Sequence, residues 1–100
     1  MKNIISKRTL IENPNYINAK KHIETWLSEV KTANWHNHNE LKEQFGSASI
    51  INQHRVVFNI KGNKYRLVVD IEYKIQFVYI IWFGSHKEYD KLEVSELTYS

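Results

Sequence analysis

The stretch VVFNIKGNKYRLVV, Val56 to Val69, constrains the fold more than any other part of the chain. Gly62-Asn63 is a two-residue turn signal, because both residue types tolerate the positive φ that a tight hairpin turn requires. Taking that turn fixes a register. Lys61 lies opposite Lys64, Ile60 opposite Tyr65, Asn59 opposite Arg66, Phe58 opposite Leu67, Val57 opposite Val68 and Val56 opposite Val69. Side chains alternate between the faces of a strand. Val56, Phe58, Ile60, Tyr65, Leu67 and Val69 therefore form a core face. The other face holds Asn59, Lys61, Lys64 and Arg66, with Val57 and Val68 behind them and Arg55 opposite Asp70 at the far end.

Charge gathers on that second face. Of the 14 Lys and Arg residues, Arg55, Lys61, Lys64 and Arg66 fall between His54 and Val69, where no carboxylate occurs. The remaining cations nearly balance the 11 acids, so the net charge of +3 is local to the hairpin. Directly opposed like charges such as Lys61 and Lys64 cost a sheet a fraction of a kcal/mol, roughly. Two lysines at a hairpin tip can also splay into water. On these residues alone a solvated face and an anion-binding face are equally supported.

The helical half precedes the hairpin. Asn13-Pro14 has the form of an N-cap followed by a proline at the first helical position. After it, Tyr16, Ala19, Ile23, Trp26, Leu27 and Val30 recur at spacings of three and four, which predicts a long helix with one apolar stripe. Ile4 and Ile5 suggest a short first strand, and Lys7 to Glu12 a short helical turn. Asn39 is placed to cap a second helix through about Phe45, with Glu43 in its first turn and Gly46 ending it. The intervening loop carries His36 and His38. Two loop histidines without a partner motif do not make a zinc site, which needs three or four ligands.

From Arg55 the pattern changes to strands over Arg55–Lys61, Lys64–Tyr73 and Phe77–Gly84. Helices followed by an antiparallel meander predict an α+β domain, with the long helix laid across one face of the sheet. One hundred residues make one domain, 1–100, and 42% hydrophobic with 25% charged residues is the composition of a folded globule. There are no cysteines, so disulfides and thiolate metal sites are excluded. MKNIISKRTLIE lacks the apolar centre of a signal peptide and no apolar run reaches spanning length, so a cytoplasmic location is expected.

RVVFNIKGNKYRLVVDIEYK followed by VYIIWFGSHKEYDKL resembles the HigB family of type II toxin–antitoxin toxins, within the RelE/ParE superfamily. WLSEVKTANWHNHNELKEQFGSA is similar to the family's helical half, and the likeness runs from about Ile4 to Leu92. The resemblance implies a RelE-like fold and an endoribonuclease that enters the ribosomal A site and cleaves translated mRNA without a metal or other cofactor. It also implies a neighbouring antitoxin, a HigA-like helix-turn-helix protein, as partner.

Cleavage of that kind uses the ribose 2′-hydroxyl as nucleophile on its own 3′-phosphate. The protein must hold the phosphate, offset its growing charge and move protons. Arg66 fits the phosphate, because a planar guanidinium grips two oxygens at once. Lys61 and Lys64 fit the RNA backbone, Arg55 either task, and Asn59 a polar contact beside Arg66. Gly84-Ser85-His86-Lys87-Glu88-Tyr89-Asp90 matches the family's G-T-H-x-x-Y-D segment, with serine for threonine. His86 is the natural acid or base there, Tyr89 a proton donor or a stacking ring, and Asp90 a group that orients either neighbour. His54 is a lesser candidate.

One position departs from the family. Where YIRF is common, this chain reads Tyr79-Ile80-Ile81-Trp82, so an arginine is replaced by Ile81. If Ile80 points to the core, Ile81 lies on the basic face and that face has one cation fewer. Trp82 and Phe83 offer stacking surface or antitoxin contacts in its place, and core burial is expected for at least one of them. Two alternatives therefore stand beside the ribonuclease: a gyrase-targeting toxin of the same superfamily, and a catalytically weak homologue that only binds antitoxin or RNA.

Overall fold

The computed structural model describes residues 1–98. Five strands form one mixed sheet in the order β1-β5-β4-β3-β2: β1 Asn3–Ile5, β2 Ser49–Ile50, β3 Arg55–Ile60, β4 Tyr65–Glu72 and β5 Phe77–Ser85. Strands β2 to β5 pair antiparallel, which is the expected meander with a two-residue edge strand added. β1 pairs parallel with β5, Ile4 beside Val78, so the sheet is mixed. The helices are α1 Arg8–Ile11, α2 Tyr16–Thr32, α3 His38–Gln44 and α4 His86–Tyr89, and a 3-10 turn follows at Val94–Glu96.

The hairpin register is as the sequence implies from Arg55↔Asp70 to Ile60↔Tyr65. Its turn differs. The ladder ends at Ile60 and Tyr65, and Lys61 to Lys64 form the loop, closed by Lys64 N–H donating to Lys61 O at 3.3 Å. Lys61 (φ 55°) and Gly62 (φ 65°) take the left-handed conformations, rather than Gly62 and Asn63. A symmetric four-residue loop leaves the pairing above it unchanged, which is why the register survives the wrong turn.

The helix stripe and the sheet's inner face close on one another. Ala19, Ile23, Trp26 and Val30 of α2 are buried with Leu41 of α3, against Val56, Phe58, Ile60, Leu67, Val69, Ile71, Val78, Ile80 and Phe83. Each large aliphatic or aromatic side chain so buried contributes about 1.5–3 kcal/mol. Edge-to-face rings connect the layers: Trp26 to Phe58 at 5.3 Å, Phe58 to Phe45 at 5.0 Å and Phe45 to Trp35 at 5.8 Å between centroids.

Helix starts are shifted from expectation. Asn13 does not cap α2, which begins at Tyr16. Its Oδ1, the acceptor a cap would use, takes Asn15 N–H at 2.9 Å in a local turn, and its Nδ2 donates to Phe83 O at 2.9 Å, which ties that turn to β5. α3 is capped by Asn37, whose side chain accepts from Glu40 N–H at 3.0 Å, and not by Asn39. The two loop histidines are engaged locally. His36 Nδ1 lies 2.9 Å from Glu40, and the ring of His38 bridges Tyr73 OH at 2.5 Å and Asn52 O at 2.9 Å. Burial pushes the Tyr73 phenol up to about 12.

Among the described residues, the chain after α4 covers one end of the sheet's outer face. Arg55 is buried there, making two bonds to Asp70 at 2.8 and 2.9 Å. Its Nη1 also donates to Val94 O at 3.0 Å and Leu97 O at 2.5 Å. The chain after α4 is thus strapped over the Arg55 end, and Val57 and Val68 beside it are buried too. The opposite end of the outer face stays open, and it is where β5 passes into α4.

Candidate functional site

α4 exists because Ser85-His86-Lys87-Glu88 is a capping box. Ser85 Oγ accepts from Glu88 N–H at 3.2 Å, while Glu88 Oε1 accepts from Ser85 N–H at 2.8 Å. Asn15 Nδ2 donates to the same oxygen at 3.2 Å, which ties the α1–α2 connection to α4. The Ser85 N–H, first, and then the Ser85 and Asn15 side chains hold the Glu88 carboxyl below its usual range. His86 N–H donates to Lys64 O at 3.0 Å, so the hairpin loop and α4 are joined through the backbone. A four-residue helix too short to stand alone is thereby held from three directions.

That anchoring brings together three of the residues singled out in the sequence. Arg66 Cζ lies 5.8 Å from the centre of the Tyr89 ring, a cation–π arrangement. Its Nη1 donates to Asn63 O at 3.1 Å and Tyr65 O at 3.3 Å, which aims the guanidinium along the loop. His86 Nδ1 is 2.9 Å from Asp90 Oδ2, with both side chains about half exposed. A proton on Nδ1 donating to the carboxylate leaves Nε2 of the neutral ring as the acceptor. Asn59 is the cross-strand partner of Arg66, and its Nδ2 donates to Ser47 O at 3.4 Å. Lys64 has an exposed side chain beside the start of α4.

Two of the candidate RNA contacts lie elsewhere. Arg55 is withdrawn from the surface, since the Asp70 carboxylate and two backbone carbonyls occupy its donors. Four residues of strand, roughly 13 Å, separate it from the Asn59–Arg66 pair. Lys61 turns to the helix side, where Nζ donates to Asn18 O at 2.9 Å. Its left-handed backbone breaks the alternation that would have placed it beside Asn59. His54 sits in the exposed loop before β3, at the Arg55 end of the sheet.

A β-bulge decides what else joins the site. β4 and β5 pair Val69 with Ile80 and Val68 with Trp82, so Ile81 is the extra residue. Ile80 and Phe83 both point into the core, at 1% and 2% exposure, and the two residues between them fall on the outer face. Simple alternation from Ile80 would have buried Trp82 and exposed Phe83. Instead Phe83 packs on Tyr65 at 5.6 Å, and the half-buried Trp82 stands 6.2 Å from Tyr89. Gly84, opposite Arg66, makes room for it: a Cβ at Gly84 would lie 2.5 Å from Trp82 Cη2 and 2.6 Å from Cζ2. Sequence reasoning offered Trp82 and Phe83 together as stacking surface, antitoxin contacts or core, without separating the two. The available signal was two adjacent large apolar residues, Trp82 and Phe83, that one core face could not both use.

Over residues 19–92 the chain matches the HigB toxin family, described as the RelE-like toxic component of a toxin-antitoxin system. It belongs to that family. The matched span contains α3, the whole hairpin, the bulge and α4, so each residue of the open site lies inside it. The five-stranded α+β architecture is that expected of a RelE-like toxin. A comparison with curated proteins gave no match. Membership of the family makes the protein the toxic partner of a pair, with an antitoxin as its counterpart. No helix among the described residues is long and apolar enough to cross a membrane.

Proposed function

We propose that this HigB toxin is an endoribonuclease that cuts translated mRNA in the ribosomal A site. The observation that carries the reading is the placement of the Arg66 guanidinium over Tyr89, beside the His86–Asp90 pair, on one open end of the sheet. That set supplies a cation for a phosphate and two groups able to move protons. The ribose 2′-hydroxyl attacks the adjacent phosphorus as His86 Nε2 accepts its proton, with Asp90 holding the ring in the required tautomer. Arg66 offsets the charge added to the phosphoryl oxygens. The P–O5′ bond breaks, Tyr89 protonates the departing oxygen, and the products end in a 2′,3′-cyclic phosphate and a 5′-hydroxyl. Asn59 and Lys64 hold the flanking backbone. No step is assigned to a metal.

The partner is proposed to be a HigA-like helix-turn-helix antitoxin and the setting the cytoplasm, where translating ribosomes are. Induction without the antitoxin should stop growth and create mRNA 5′ ends inside translated codons, in frame with the ribosome. Arg66→Ala should remove both effects. Growth arrest with intact mRNA and broken chromosomal DNA would instead identify a gyrase poison. A second reading, a weak enzyme acting chiefly through antitoxin or RNA binding, has Ile81 in its favour, since the bulge sets an apolar side chain and no cation on the outer face. Absence of both arrest and cuts would select it.

A further inference from the structure

Trp82 lies outside the chemistry assigned above, and three observations single it out. Of the three tryptophans, Trp26 and Trp35 are each 3% exposed, whereas Trp82 is half-buried on the outer face. A bulge is spent to put it there, and a glycine opposite Arg66 leaves the space its ring occupies. Its neighbours then form a series: the indole next to the Tyr89 ring at 6.2 Å, and the Tyr89 ring under the Arg66 guanidinium at 5.8 Å. A tryptophan needed only for packing would more economically share the core with Phe83.

We infer that Trp82 is a nucleobase-binding residue: its indole stacks on an unpaired base of the RNA strand whose phosphate is held by Arg66. The inference rests on the RNA-cleaving reading for its ligand class and adds a second kind of contact to it. Phosphate contacts hold a strand by charge and depend on salt, while stacking on an aromatic face contributes a base-dependent, salt-insensitive term. Ile81, the bulged neighbour on the same face, extends the apolar surface beside the indole.

The test uses short single-stranded oligoribonucleotides carrying 2′-O-methyl groups, which lack the nucleophile and cannot be cleaved. The comparison ligand has the same phosphates with the bases removed. Binding of the based strand should quench tryptophan emission, because Trp82 is the accessible indole, and the abasic strand should bind without quenching. Trp82→Leu should lower affinity for the based strand by roughly tenfold, leave the abasic affinity and the salt dependence unchanged, and abolish the quench. Trp82→Tyr should restore most of the affinity, which a purely structural role for the indole would not require. Equal losses for based and abasic strands, or a quench that survives in Trp82→Leu, overturns the inference while RNA binding itself stands. No binding of either strand, together with no mRNA cuts on induction, overturns the ribonuclease reading and the stacking with it.

Discussion

His86 Nδ1 and Asp90 Oδ2 meet at 2.9 Å across one helical step at the end of α4, with both side chains half exposed to water. A hydrogen-bonded pair in such a setting adds at most about 1 kcal/mol to stability. Its consequence lies in which imidazole nitrogen is left to act. His86→Ala should therefore lower mRNA cleavage in a translation extract by about 100-fold or more. Asp90→Ala should lower it by roughly tenfold, because the ring loses its orienting acceptor and keeps its base. Neither substitution should move the urea midpoint appreciably. Full activity in His86→Ala would remove the imidazole from the reaction.

Gly84 is needed for the space it leaves. In Gly84→Ala the methyl group would meet the Trp82 ring at 2.5 Å, and the ring must yield because the atoms it meets are the far end of a side chain rather than backbone. The expected stability loss is about 1–2 kcal/mol, at the low end for overpacking. Cleavage should fall well beyond what that loss explains, since Trp82 packs on Tyr89. Near-ultraviolet circular dichroism should register the displaced indole. Unchanged aromatic signals with unchanged activity would contradict the packing described.

Arg55→Ala tests the strap instead of the site. It strands the Asp70 carboxylate and frees Val94 O and Leu97 O from their shared donor. Breaking a buried pair costs about 3–5 kcal/mol, and the 25% exposure of the Asp70 side chain reduces this to about 2–3 kcal/mol. Urea unfolding reads that loss. The salt dependence of RNA affinity should be the same as in the parent protein, since the guanidinium makes no phosphate contact. A shallower salt slope would return Arg55 to the RNA surface.

Acid should loosen α4 through Glu88. Its carboxyl is held below the usual value of 4.5, chiefly by the Ser85 N–H. A depressed folded value means that the contribution is fully present above the unfolded value and is lost as pH falls through the folded one. Urea midpoints of the parent and Glu88→Gln should thus differ at pH 7 and converge as pH falls below the ordinary carboxylate range. A gap constant from pH 7 to pH 3 would show that the capping bond does not depend on charge.

Local chemistry alone determined much of this protein. Alternation over Val56–Val69 defined the core face and the register, because a one-residue slip would turn every apolar side chain into water. The spacing of Ala19, Ile23, Trp26 and Val30 defined the helix stripe in the same way. The Ser85–Glu88 capping box was also legible, although only the G-[ST]-H-x-x-Y-D likeness was read there.

Other features were decided by contacts between segments far apart in sequence. Asn13 has the chemistry of a cap, yet its Oδ1 closes a local turn on Asn15 N–H while its Nδ2 reaches Phe83 O across the molecule. Lys61 has the chemistry of an RNA contact, yet it is drawn to Asn18 O. Arg55 counts as a surface cation until Asp70 and the C-terminal strap enclose it. The bulge at Ile81 is the deepest case. Nothing in the order Ile80-Ile81-Trp82-Phe83 says where alternation breaks, because either ring could fill the core. Pairing with β4 settles it: Leu67 and Val69 are fixed inward by the first hairpin, and β5 must slip one residue to set Phe83 and Ile80 against them. That slip leaves Trp82 beside Tyr89 and Arg66. The sequence determined which residues are available for a site, and the packing of β5 on β4 decided which of them meet.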